Sequence, residues 1–299
     1  MSVLLDETSR LLIYGIGGRL GRFAARDLVD YGAEVVAGVA PGGKLEAVEG
    51  ITVHGSAEQA CRETAADVAV VFIPAPFALD AVLDVAEAGC RLIVYPGDEL
   101  PVRDAIEMRA AALANGATLL GPNAPGLISP GKSKAGFMPS FCYRPGPVGV
   151  VSRSGSLSYE VAHQLTRSGI GQSTALGIGG DPVKGLRAGE ALALLHQDPE
   201  TRAVVFVGEI GGSDEYEVAA YAARGDAKPV TALIVGRTAP RGKKMGHAAA
   251  LIGSHADTHE AKLGALADAG ADAIQSLKEL LPSVRRGLAA SPVVPLAQA

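Results

Sequence analysis

His247 lies in the run Arg241-Gly242-Lys243-Lys244-Met245-Gly246-His247-Ala248-Ala249-Ala250, a basic, glycine-containing loop that leads into alanines. A histidine so placed can serve as a phosphoryl acceptor, because neutral imidazole attacks phosphorus and later leaves well. The alanine run predicts a helix with His247 near its start, where the helix end would favour the neutral ring. Glu209, the acidic residue in Gly208-Glu209-Ile210-Gly211-Gly212, can accept the Nδ1 proton and leave Nε2 free. His54, His163, His196, His255 and His259 lack such a setting and read as ordinary core or surface residues. No second His or Cys stands at helical spacing from His247, so no metal site is expected.

A second cluster lies near the N-terminus. Gly15, Gly17, Gly18 and Gly21 follow a short apolar run and precede an amphipathic stretch, as at a strand-turn-helix junction that receives a phosphate. Close backbone packing alone would also call for these glycines. A dinucleotide site would add an Asp or Glu at the end of the second strand. Here that strand ends in Val39-Ala40-Pro41, with Gly43 and Lys44 beyond it, so a phosphorylated adenosine such as that of coenzyme A fits better than NAD. Pro74 and Pro76 fix an extended loop after the third strand, beside a ligand crevice or simply as a rigid turn.

These residues need a scaffold, and the chain supplies two runs of alternating elements. In the first half, β-branched strands are expected at Leu11–Tyr14, Val35–Val39, Val68–Ile73, Leu92–Tyr95 and Thr118–Leu120, with alanine-rich helices between them. Strands are expected again at Val148–Val151, Ser173–Ile178, Ala203–Val207 and Val230–Val235, with helices at Leu157–Ser168, Gly189–His196, Glu215–Arg224 and Glu260–Ala269. The pattern predicts two α/β units with parallel sheets: 1–121, a Gly/Pro-rich connection over 122–147, a second unit over 148–288, and a flexible tail over 289–299. Gly- or Ser-rich turns after the second unit's strands should converge on one sheet edge and make a site for a tetrahedral anion.

Composition narrows the function. With 299 residues, 48% hydrophobic and 20% charged, the chain can bury a sizeable core. A net charge of −5 argues against a nucleic-acid surface. Cys61, Cys90 and Cys142 have neither zinc spacing nor the number for a disulfide framework, which fits a cytoplasmic protein. The polar start MSVLLDETSR is no signal peptide, and no apolar run is long enough to span a membrane.

Several segments together resemble the alpha subunit of succinate–CoA ligase (succinyl-CoA synthetase) and relatives such as malate–CoA ligase. They are PAPF at 74–77, GPN at 121–123, SPGK at 129–132, SRSGSLSYE at 152–160, GIGGDP at 177–182, GEIGGS at 208–213 and TAPRGKKMGHA at 238–248. The resemblance implies a Rossmann-like CoA-binding domain followed by a flavodoxin-like ligase domain. It implies a beta subunit of ATP-grasp fold that binds ATP or GTP with Mg²⁺, and the reaction of a carboxylic acid, CoA and NTP to acyl-CoA, NDP and phosphate. It places a phosphohistidine at His247 with Glu209 in support. CoA contacts fall on Gly17, Gly18, Arg19, Leu20, Gly43, Lys44, Pro74, Phe77, Pro96, Gly97 and Asp98. The phosphate and acid contacts fall on Asn123, Ser154, Gly155 and Tyr159. Arg19 reads either as a partner for a CoA phosphate or as a solvated charge at a helix start. Succinate is the default acid, with malate or another small carboxylate as alternatives. An NAD-linked oxidoreductase and a non-catalytic CoA-binding regulator are the competing readings.

Overall fold

Short aliphatic runs alternate with alanine-rich helices, and the computed structural model, which describes residues 2–43 and 45–291, folds them into two seven-stranded sheets. The first sheet comprises β1 (Arg10–Tyr14), β2 (Glu34–Val39), β3 (Ala47–Val48), β4 (Ile51–His54), β5 (Val68–Val71), β6 (Leu92–Val94) and β7 (Thr118–Leu120). Its order is β3-β4-β2-β1-β5-β6-β7, with every pair parallel except the β3–β4 edge. Setting the antiparallel edge strand β3 aside, this is the Rossmann order, with its switch point between β1 and β5. Helices α1 (Arg19–Tyr31), α2 (Ala57–Thr64), α3 (Ala78–Glu87) and α4 (Val102–Ala114) accompany it.

The second sheet runs β14-β13-β12-β10-β11-β8-β9. Its strands are β8 (Gly126–Ser129), β9 (Ser133–Gly136), β10 (Pro145–Ser152), β11 (Gln172–Gly177), β12 (Ala203–Glu209), β13 (Val230–Val235) and β14 (Asp272–Ile274). The parallel strands alone give the flavodoxin-like order, with a switch point between β10 and β12. Helices α5 (Gly155–Arg167), α6 (Ala188–Gln197), α7 (Asp214–Ala222), α8 (His259–Asp268) and α9 (Leu280–Ala290) belong to this half. Every residue of β5 and of β12 is buried, as expected of central strands covered on both faces.

Two departures from the sequence reading have local causes. The stretch read as a connection contains β8 and β9, which pair with each other and, through β8, antiparallel with β11. Gly126 and Gly136 allow this, since a Cβ on Gly126 would stand 2.0 Å from the Ala135 carbonyl. The hairpin is held against the first unit. Lys134 is fully buried, and its Nζ donates to Asp27 on α1 at 2.7 Å and to Ser140 at 3.0 Å. At the other end, residues 289–290 continue α9, and the Ser291 hydroxyl donates to the Arg202 carbonyl. The remainder of the expected tail, 292–299, lies outside the described residues, as does Lys44. No helix among the described residues is long and apolar enough to cross a membrane.

Candidate active site

Glu209 closes a fully buried strand, so its position is fixed by the sheet. His247 comes from the loop after β13, and its Nδ1 lies 2.8 Å from Glu209 Oε2. With Nδ1 as donor to the carboxylate, the Nε2 lone pair is left free; among the described residues it has no hydrogen-bond partner. The bond to Glu209 raises the His247 pKa above 6.5, against a smaller opposing effect of burial. Carboxylate support, and not a helix end, therefore sets this ring's tautomer and basicity.

The expected helix after His247 is absent: residues 246–249 form bends and turns. Three alanines are too few to nucleate a helix when Gly246 adopts φ +80° on one side and Gly253 stands three residues beyond Ala250 on the other. The Ala249 amide instead donates to the Gly180 carbonyl, which ties the loop to the turn after β11. The ring packs directly on that turn, since a Cβ on Gly180 would lie 2.2 Å from His247 Nδ1. Gly180→Ala should therefore displace the ring from Glu209. We expect phosphoryl acceptance at His247 to fall about 100-fold with the melting temperature lowered by only about 2–4 °C, measured by labelling and calorimetry.

Beneath the pair lies a set of buried charges. Arg153, with no exposed side-chain surface, donates from Nη1 to Glu215 Oε1 and to the Gly211 carbonyl, each at 2.8 Å. Its Nη2 sits 3.1 Å from Glu209 Oε1, an ion pair off hydrogen-bond alignment. Lys262 reaches Glu215 and the carbonyls of Glu209 and Gly211, while Lys184 pairs with Asp214 at 2.6 Å. Burial alone would pull the Arg153 pKa down, but Glu215, Glu209 and Asp214 together push it up.

His247 opens onto a pocket of about 160 Å³ lined by Asn123, Gly155, Tyr159, Pro96 and Phe137 among others. Ser154 caps α5 by accepting from the Leu157 amide, and the first turn of α5 holds no acidic residue, so its positive end is uncompensated there. Burial pushes the Tyr159 phenol up to about 12, so it stays protonated and donates to the Phe137 carbonyl. Asn123 donates from Nδ2 to buried Asp181 at 3.0 Å.

A separate cleft of about 420 Å³ opens above β1, β5 and β6. Gly18, Arg19, Leu20, Pro74, Pro96, Gly97 and Asp98 line it. The N-terminus of α1 has no side-chain cap and no acidic residue in its first turn, which leaves its amides available to an anion. Gly21 must be glycine for packing, because a Cβ would stand 2.3 Å from the Gly15 carbonyl. Pro96 and Phe137 line both cavities, so the two adjoin.

A family model described as a CoA binding domain matches residues 6–95, and one described as CoA-ligase matches residues 151–272. The chain is 46% identical to succinate–CoA ligase [ADP-forming] subunit alpha 1 of Archaeoglobus fulgidus, over 96% of this chain and 99% of that one. It belongs to the succinate–CoA ligase alpha-subunit family. The succinate–CoA ligase [ADP-forming] subunit alpha of Aquifex aeolicus is 45% identical over 92% of this chain and 91% of its own. Among solved structures, the ATP citrate lyase of Methanosaeta concilii in complex with (3S)-citryl-CoA has the same fold, with a TM-score of 0.87 at 23% identity. The match covers 96% of this chain and 50% of that one, so this alpha-family chain spans about half of the lyase.

Within this alpha-family chain, the residues expected on sequence grounds divide into three groups. His247, Asn123, Gly155 and Tyr159 share one pocket, with Glu209 behind the ring. Seven of the expected CoA contacts line the neighbouring cleft, while Gly17, Gly43 and Phe77 do not. Gly17 packs under Leu45, the Gly43 amide bonds the Ala40 carbonyl in a turn, and Phe77 sits exposed in the short turn before α3. Lys44 lies outside the described residues. On sequence grounds Arg153, Gly180 and Asp181 stood only within turns expected to converge on one sheet edge, and Glu215, Lys262 and Phe137 had no role. Arg153 stands inside the quoted SRSGSLSYE segment, but its burial against three carboxylates has no local signature.

Proposed function

We propose that this alpha subunit acts with a beta subunit as an NDP-forming acid–CoA ligase, with His247 as the phosphoryl carrier and succinate as its acid. The 2.8 Å bond from His247 to Glu209 carries the reading, because it fixes the tautomer that a nucleophilic histidine needs. Nε2 attacks the terminal phosphorus of an NTP held by the partner, and the NDP leaves. A substrate carboxylate oxygen then attacks that phosphorus, the P–N bond breaks, and neutral imidazole returns. The thiol of CoA attacks the acyl carbon of the acyl phosphate, and phosphate leaves with the thiol proton.

In this scheme Glu209 steadies the positive charge that develops on the ring as Nε2 bonds to phosphorus. The amides at the start of α5, around Gly155, face the transferring phosphoryl oxygens, with Ser154 holding that turn. Tyr159, kept neutral, and Asn123, aligned by Asp181, would receive the acid. The free N-terminus of α1 and the Arg19 guanidinium take the CoA phosphates. The adjoining cleft leads the thiol toward His247.

The test is thioester formation by the alpha–beta complex with CoA, ATP or GTP, and a panel of acids. Succinate should be the best acid; a complex active on another acid but not on succinate would sink that assignment. The phosphorylation step should also show an acid limb, rising with pH through a value above 6.5 as the ring becomes neutral. Glu209→Gln removes the group that raises this pKa, so the limb should move to lower pH while the maximal rate falls about 100-fold. An unmoved limb would show that Glu209 does not govern the ring.

A further inference from the structure

Phe137 stands where the two cavities meet. Together with Pro96 it lines both the cleft above β1, β5 and β6 and the pocket around His247. It follows β9 and so comes from the second sheet, yet its ring packs on the first unit. The centroid is 5.0 Å from that of Phe72, tilted by 54°, and 6.4 Å from that of Phe23 on α1.

The backbone there is held from both sides. The Phe137 amide donates to the Pro125 carbonyl at 2.6 Å, and its carbonyl accepts from the Tyr159 hydroxyl. The next carbonyl, of Met138, accepts from buried Lys134, which is itself paired with Asp27. The ring is only half-buried, so it is fixed by its backbone and by aromatic neighbours while part of it borders open space. Polar groups line the histidine pocket, and a rigid apolar ring between them and the cleft is poorly suited to binding the acid or the phosphates. It is suited to dividing space.

We propose that Phe137 is a positioning residue that forms the partition between the CoA cleft and the phosphohistidine pocket. It directs the CoA sulfur to the acyl phosphate and keeps water from reaching it. The inference rests on the acid–CoA ligase reading. In the productive step the S–C bond forms, the C–O bond to phosphate breaks, and phosphate leaves carrying the thiol proton. In the leak, water attacks the same carbon, the same bond breaks, and the free acid and phosphate result with no thioester.

The two routes are separated by counting phosphate released against thioester formed in the alpha–beta complex. The wild-type complex should release one phosphate per thioester. For Phe137→Ala, removal of the ring should raise that ratio about threefold and KM for CoA about tenfold, with labelling of His247 by NTP unchanged. Phe137→Leu, which keeps part of the bulk, should fold and give intermediate values for both. A purely structural role would lower kcat and labelling together without uncoupling. A ratio of one with unaltered KM in Phe137→Ala overturns the proposal, as it does in Phe137→Leu should the alanine variant not fold. Absence of label on wild-type His247 would instead sink the underlying ligase reading.

Discussion

A His247→Asn chain should fold, pair with its beta subunit and bind CoA, yet take up no phosphate from NTP. The asparagine amide can still donate toward Glu209 and so keep the buried carboxylate partnered, but it offers no nucleophilic nitrogen in place of Nε2. Turnover should fall by at least about 1,000-fold, equivalent to roughly 4 kcal/mol of transition-state stabilisation. The structural cost should stay near 1 kcal/mol, the ordinary net value of one hydrogen bond. That cost has a pH signature. The folded-state pKa of His247 is raised, so its contribution to stability is fully present below the unfolded value of 6.5 and is lost as pH rises through the folded value. The variant should thus lose more stability relative to wild type at pH about 5 than at pH about 8. Acid-labile label recovered from the variant would mean that another residue carries the phosphate.

The features that made His247 legible were local, and so were the errors. A basic glycine loop and an acidic residue in a glycine-rich turn pointed to each other because parallel α/β sheets gather such turns at one edge. The same local reasoning extended three alanines into a helix, although the Ala249 amide is committed to Gly180 on a different turn. Residues 126–136 read as a connection because Gly and Pro usually break elements. Here the glycines permit a hairpin whose pairing partner, β11, lies about 50 positions downstream in the chain. The α1 turn was legible as a phosphate site, but which of its glycines face the cleft was not. Gly18 and Gly21 line the cleft, whereas Gly17 is spent on packing against Leu45. Least legible of all were the buried ions, since nothing in a sequence says that Arg153, Lys184 and Lys262 face inward.

Those ions give the second large effect. Three cations, Arg153, Lys184 and Lys262, face three carboxylates, Glu209, Asp214 and Glu215, and all six are nearly or fully buried. Replacing Arg153 with Met keeps the volume and removes one charge. Lys262 remains on Glu215 and Lys184 on Asp214, but Glu209 Oε1 is left without a cation. An uncompensated buried carboxylate costs about 3–5 kcal/mol, which in a unit of this size lowers the melting temperature by on the order of 10 °C.

The discriminating experiment adds Glu209→Gln to Arg153→Met. If the loss arises from the unpaired charge, neutralising Glu209 should recover more than half of it, although the double variant has no carboxylate to support His247 and keeps the about 100-fold activity loss of Glu209→Gln. A double-mutant cycle then returns a coupling of about 1.5–3 kcal/mol, within the range seen for residues in one buried network. Effects that add to within about 0.5 kcal/mol would mean that Arg153 acts through its packing and its bonds to the Gly211 carbonyl and Glu215, and that Glu209 is held by the strand alone.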